Sequence, residues 1–141
     1  MRANFVREPK CWKVNVREVK PDEKRTREDG FTDMLLSWLV NEHNAGSQNI
    51  AVGHTYKHPG GQHRLHLHKN VEEIIFILKG KGVQICGETE FEVKAGDCIF
   101  IPRGIPHSQK NTGDEPIETI FVYAGAPSFE KTGYVLLENE K

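Results

Sequence analysis

The chain has 141 residues, which is the size of one domain and long enough to bury a core without disulfides. It carries 19 basic and 20 acidic residues, and the resulting net charge of −1 provides no field to attract nucleic acid or an anionic membrane surface. No apolar run approaches the ~20 residues that span a bilayer. We therefore expect no nucleic-acid partner and no membrane partner.

The three cysteines stand at positions 11, 86 and 98, and their spacing is not typical of a metal site or of a disulfide framework. The first residues, which include Arg2, Arg7 and Lys10, lack the apolar core of a signal peptide. Both observations predict a reducing, cytoplasmic compartment. Cys86 and Cys98 fall in apolar runs, which favours packing over metal binding.

The first 45 residues predict strands and one charged loop. Alternating apolar residues at positions 12–16 indicate one edge strand, and the charge-rich segment 21–30 indicates a solvated loop. Residues 31–40 fit both a helical stripe and a strand. We favour a strand, because the turn signals that follow lead into another strand-like run at 49–57.

Short apolar runs separated by turn signals continue through the rest of the chain. Pro59, Gly60 and Gly61 indicate a turn, and further strands are predicted at 72–78, 83–86, 89–93, 98–101, 107–111 and 117–123. Such spacing is typical of an all-β sandwich or barrel. We expect a single domain, in which residues 46–125 form the barrel core and residues 126–141 form a C-terminal extension.

Histidines cluster before the run at 72–78. His66 and His68 are two residues apart, so in a strand both imidazoles face one side of the sheet. Glu73 begins the next strand, and His107 begins a later one. An isolated His-x-His motif is more often a surface feature than a metal site. Here, however, three imidazoles and one carboxylate are available, and they leave positions open on a six-coordinate ion. This donor set is typical of a catalytic metal site.

The spacing around these four residues resembles the two sequence motifs of the cupin family. The first reads Gly60-x5-His66-x-His68-x4-Glu73-x6-Gly80, and the second reads Gly96-x5-Pro102-x-Gly104-x2-His107-x3-Asn111. The resemblance implies an all-β cupin jelly-roll barrel in which His66, His68, Glu73 and His107 hold one divalent metal ion per subunit. Fe or Mn is favoured, and Ni, Zn, Cu or Co stay open.

The resemblance also implies a range of activities on a small-molecule substrate. We favour a dioxygenase acting on a small oxygenated organic compound, and the alternatives are a decarboxylase, an isomerase, a lyase or a non-catalytic binding module. Oxalate-acting cupins often carry an arginine three residues before the first ligand histidine. His63 stands there and Arg64 one place later, which weakens an oxalate assignment.

Two further residues are candidates for catalysis. The run 49–57 alternates, and we expect its even positions to face inward because Ala51 and Gly53 stand among the odd ones. His54 and Tyr56 would then act as catalytic acid or base beside the ion. Alternatively, His54 is a satisfied interior histidine and Tyr56 caps the core.

Apolar residues on other strands complete the predicted pocket. Ile75, Ile77, Phe121 and Tyr123 have the parity to contact a substrate. His58, His63 and Arg64 form either a pocket rim or, as we favour, a solvated loop.

The run 72–78 is apolar on both faces, and this pattern bears on assembly. Ile74, Phe76 and Leu78 would face outward, whereas a solvated antiparallel strand alternates with polar residues. Either the predicted N-terminal strand or a second subunit must cover this face. We expect a homodimer.

Overall fold

The computed structural model describes residues 10–137, so the predictions for residues 1–9 and 138–141 lie outside the described part of the chain. Nine strands are present there, with single 3-10 turns at Val16–Glu18, Arg27–Asp29 and Phe129–Lys131. The strands are β1 Phe31–Val40, β2 Ile50–His68, β3 Glu72–Lys79, β4 Lys81–Cys86, β5 Thr89–Lys94, β6 Cys98–Ile101, β7 His107–Lys110, β8 Ile117–Ala124 and β9 Tyr134–Leu136. The chain is therefore all-β, as predicted.

All strand pairs are antiparallel, and they form one sheet in the order β5-β4-β7-β2-β8-β3-β6. Strand β2 connects the two halves, since its first part pairs with β8 and its last part pairs with β7 and β9. The sheet curls around these pairings into a jelly-roll barrel with one hydrophobic core.

Two local predictions are wrong. Residues 12–16 form no strand; Trp12 instead donates its indole N–H to the Leu39 carbonyl, at 2.9 Å. The predicted turn at Pro59–Gly61 is a bulge inside β2, where the pairing with β1 moves from Lys57 opposite Met34 to Gln62 opposite Thr32. Gly60 adopts a φ of +85° there, so the extra residues loop out without ending the strand.

A second bulge in β2 has a larger effect on the interior. His63 pairs with Gln109 of β7 and His66 pairs with His107, so three steps along β2 match two steps along β7. One extra residue in a strand reverses which side chains face inward. Even-numbered side chains are inward after this bulge, and odd-numbered ones are inward before it.

The C-terminal segment folds back over the barrel. The 3-10 turn Phe129–Lys131 leads into β9, whose Tyr134 and Leu136 pair with His68 and His66 of β2. Sequence analysis gave no strand here, because three residues are too short for a recognisable alternation. This segment brings Thr132 and Tyr134 next to the histidines.

Candidate metal centre

Four side chains from three strands converge inside the barrel. His66 and His68 come from β2, Glu73 from the start of β3, and His107 from the start of β7. Each offers one ligand atom, and these atoms all lie within 4.8 Å of one another. All four side chains are buried. The four residues that sequence spacing selected can therefore bind a metal ion together.

Hydrogen bonds fix the orientation of the three imidazoles. Nδ1 of His66 donates to the Arg64 carbonyl at 2.6 Å, and Nδ1 of His107 donates to the Ile105 carbonyl at 2.8 Å. Nδ1 of His68 contacts the Thr132 hydroxyl at 2.8 Å, and that hydroxyl donates its own proton to the Phe129 carbonyl. The His68 nitrogen must therefore be the donor. A proton on each Nδ1 leaves each neutral imidazole with its lone pair on Nε2.

The resulting donor set fits a cation. Nε2 of His68 is buried and has no hydrogen-bond partner within residues 10–137. Nε2 of His107 lies 3.1 Å from Oε1 of Glu73, and Nε2 of His68 lies 3.7 Å from the same oxygen. Lone pairs that face a carboxylate oxygen repel it, and a bound cation converts this repulsion into attraction. Hydrogen bonds from the other ring nitrogen are the usual support of metal-binding histidines.

Burial keeps the imidazoles of His66 and His68 neutral. It lowers the pKa of His66 well below the ordinary 6.5, and the neighbouring histidines lower it further. Burial also lowers the pKa of His68 to about 4, although the Glu73 charge opposes part of this shift. Metal binding requires deprotonated ligands, so both residues are ready to bind an ion at neutral pH.

A small cavity opens beside the four residues. Its volume, measured for the centre of a water-sized sphere, is about 30 Å³, which is enough for one or two water molecules or the end of a small ligand. Its apolar wall includes Phe31, Ile75, Phe121 and Tyr123, and its polar groups include Thr55, Lys57, His63, Gln84 and Gln109. Three of the predicted contact residues therefore line the cavity. The fourth, Ile77, is fully buried in the core and is not in this lining.

His54 and Tyr56 do not face this cavity, so their predicted orientation is wrong. Nε2 of His54 lies 2.8 Å from Oε2 of Glu118 on the other side of the sheet, and Tyr56 stands opposite Glu118 in the β2–β8 pairing. The error arose because the small residues Ala51 and Gly53 were expected to face outward, whereas Ala51 is fully buried. Gly53 is small because an added Cβ would lie 2.2 Å from Cζ of Phe121, and not because it faces outward.

Sequence analysis missed Lys57 near the centre and assigned His63 to a solvated loop. Lys57 faces the cavity and is almost fully buried. The His63 ring stacks on that of His66 with centroids 3.6 Å apart. Its Nε2 donates to the Tyr134 hydroxyl at 3.0 Å, because that hydroxyl donates its own proton to the Asp29 carbonyl. His63 thus belongs to the cavity wall and not to a solvated loop. A strand-parity argument that allowed for the bulge would have found both residues.

A jelly-roll barrel with three buried histidines and a glutamate in its interior defines a metal-binding cupin architecture. The sequence profile described as the cupin domain matches residues 54–123, and the chain belongs to the cupin family. The match contains all four converging residues.

The chain is also similar to individual proteins. An uncharacterised protein of Methanocaldococcus jannaschii is 41% identical over 61 residues, which cover 43% of this chain and 49% of that protein. An oxalate-binding protein of Thermotoga maritima is 28% identical over 109 residues, which cover 77% of this chain and 90% of that protein. The solved polyketide cyclase RemF from Streptomyces resistomycificus superposes with a TM-score of 0.71 at 21% identity, covering 88% of this chain and 90% of that one.

The chain spans about half the length of the archaeal relative and most of the length of the other two proteins. Within residues 10–137, no helix has the length and apolar character needed to cross a membrane.

Proposed function

We propose that this chain is a cupin enzyme that uses one divalent metal ion, held by His66, His68, Glu73 and His107, to act on a small oxygenated organic substrate. The observation that carries the proposal is the convergence of three Nε2 lone pairs and one carboxylate beside a cavity. A bound ion supplies a Lewis-acid centre and, if it is redox-active, a site for oxygen chemistry. We favour a dioxygenase.

The donor set supports Fe or Mn as the ion. Imidazole nitrogens suit Fe, Ni, Cu and Zn, whereas carboxylate oxygens suit Mn, so a mixed set of three nitrogens and one oxygen is compatible with both favoured metals. Four protein ligands leave room for a substrate on an ion that prefers six. Bulk water is excluded from the site, because the four proposed ligands are buried and Phe31, Ile75 and Phe121 form an apolar wall.

A non-catalytic binding module is the second candidate function. The name of the Thermotoga relative, an oxalate-binding protein, favours it. The site differs from the arginine pattern of oxalate-acting cupins, since His63 stands three residues before His66 and is packed against the His66 ring. Decarboxylase, isomerase and lyase activities on a small substrate remain alternatives within the enzyme proposal.

Elemental analysis of the purified chain tests the metal assignment. We expect about one divalent ion per chain in the wild type, and His66→Ala should lose most of it because one of four ligands is removed. His43→Ala is the matched control, since His43 is an exposed turn residue and should not alter the metal content. An unchanged metal content in His66→Ala would contradict the proposal.

An oxygen-uptake screen separates the enzyme from the binding module. The chain loaded with Fe or Mn is mixed with small diketones, phenols and carboxylates, and oxygen consumption is followed. Uptake that needs both a substrate and the four-residue site supports a dioxygenase. Products without oxygen uptake indicate one of the other reactions, and tight binding without any product indicates a binding module.

We also propose that the chain forms a homodimer. The outer face of strands β3, β6 and β8 carries Ile74, Phe76, Phe100, Ile120 and Val122, which are exposed or half-buried. A second subunit packed on this face would remove these apolar side chains from water.

A further inference from the structure

Lys57 is a charged residue whose position the metal site does not explain. It lies on β2, faces the same cavity as His66, Glu73 and His107, and is only 4% exposed. Its Nζ donates to Oε1 of Gln109 at 3.0 Å. Within residues 10–137, no carboxylate oxygen lies within 4.0 Å of this Nζ. A buried lysine thus stands in the cavity with a neutral amide as its hydrogen-bond partner.

This arrangement is unfavourable unless a ligand completes it. Lysine is almost never fully buried without a partner of opposite charge, because removing an ammonium group from water is costly. The ammonium group has three N–H donors, and one of them is used by Gln109. The other donors are available to a group in the cavity.

Neighbouring amides hold the ammonium group in place. Nε2 of Gln109 donates to Oε1 of Gln84 at 3.0 Å, so the oxygen of Gln109 must point at Lys57. Gln84 is fully buried and Gln109 is nearly so. Two fixed amides that orient one cationic donor are typical of a preorganised binding group.

We infer that Lys57 binds the carboxylate group of a small ligand inside the cavity. This inference rests on the proposed function, in that the ligand occupies the cavity beside the metal ligands. The ammonium group neutralises the carboxylate and donates a charge-assisted hydrogen bond to it. The apolar wall formed by Ile75 and Phe121 then contacts the carbon part of the ligand.

The charge of Lys57 suits this role at neutral pH. Burial lowers the pKa of Lys57 from the usual 10.5 to about 8, and the Glu73 carboxylate opposes that shift. The ammonium form therefore prevails at pH 7. The cavity has room for about one or two water molecules, so formate, the smallest carboxylate, is the suitable probe, and larger acids would enter by their carboxylate end.

Isothermal titration calorimetry with formate at pH 7 tests the inference on the full chain, both as purified with its metal and after chelation. We expect Lys57→Met to weaken formate binding about tenfold or more, since it removes the charge and keeps the length of the side chain. Lys110→Met is the matched control, because Lys110 lies on the adjacent strand β7 with its side chain exposed. It should bind formate like the wild type. Neutral formamide should show no dependence on Lys57.

Lys57→Gln provides a second variant that keeps a hydrogen-bonding side chain, in case the methionine variant does not fold. Formate binding that is absent from the wild type, or that is equally tight in a folded Lys57 variant, overturns the inference. A chain that takes up no metal but binds formate through Lys57 refutes the proposed function and supports the inference. A chain that takes up metal and binds formate independently of Lys57 supports the proposed function and refutes the inference.

Discussion

Thr132 fixes the tautomer of His68, one of the four candidate metal ligands. Its hydroxyl is committed as a donor to the Phe129 carbonyl, so it can only accept from Nδ1 of His68. This single hydrogen bond directs the lone pair of His68 into the centre. Thr132 is fully buried, which prevents water from taking its place.

Replacing Thr132 by valine keeps the shape of the side chain and removes this acceptor. We expect Mn²⁺ affinity to fall about 10–100-fold, as is usual when the partner of a ligand histidine is lost. Competition with a metallochromic chelator measures the affinity. Thr89→Val, on the exposed strand β5, should bind the ion like the wild type. Equal affinities in both variants would show that Thr132 does not position His68.

Gly53 is required by close packing against Phe121. A Cβ at position 53 would lie 2.2 Å from Cζ of Phe121, whereas one at Gly113 would meet its nearest neighbour, Cγ of Lys81, at 3.4 Å. We therefore expect Gly53→Ala to lower the free energy of unfolding by about 1–3 kcal/mol through overpacking. Urea denaturation measures the change.

Gly113→Ala is the control for this prediction and should change stability much less, because its new methyl group makes an ordinary contact. Combining Gly53→Ala with Phe121→Leu should recover part of the lost stability. If Gly53→Ala is as stable as the wild type, the ring of Phe121 can move and the size of residue 53 does not determine the packing.

At the scale of the strands, the sequence predicted where most strands begin and end, but it did not predict the two bulges in β2. Strands β1 and β3–β8 were expected within two residues of their observed ends, because turn residues mark each boundary. The convergence of His66, His68, Glu73 and His107 followed from their spacing as well, because both histidines of β2 lie after the second bulge and keep a common parity. The first bulge was marked by Pro59–Gly61 but was expected to be a turn. The second bulge has no strong sequence signal, because its extra residue lies between His63 and His66, where glycine is absent.

The main error about the site has a different cause, which is the small size of two residues in the run 49–57. Ala51 and Gly53 were expected to face outward, but Ala51 is fully buried and Gly53 packs against Phe121, so the odd positions face inward. Thr55 and Lys57 therefore occupy the interior where His54 and Tyr56 were expected. The contribution of the C-terminal segment was equally hidden, because Thr132 and Tyr134 contact the histidines through tertiary contacts that span more than 60 residues of chain.

The inner and outer faces of the sheet differ in how far their apolar side chains are buried. Glu73, Ile75 and Ile77 of β3 are buried, as predicted for the inner face. On the outer face, Phe76 is 38% exposed, Leu78 45% and Phe100 53%. Segment 12–16, the alternative cover for this face, contacts β1 through Trp12 and forms no strand over β3. An uncovered apolar face of this kind is typical of an interface.

A homodimer through this face should have twice the mass of the 16.0 kDa chain in sedimentation at micromolar concentration. Phe100→Glu should shift the population to monomers, because it places a charge in the centre of an apolar contact. Phe91→Glu is the matched control: Phe91 is 37% exposed, but it lies on β5, at the opposite edge of the sheet order from β6. A wild-type mass near that of one chain would refute the dimer, and a Phe100→Glu variant that stays dimeric would place the interface on another surface.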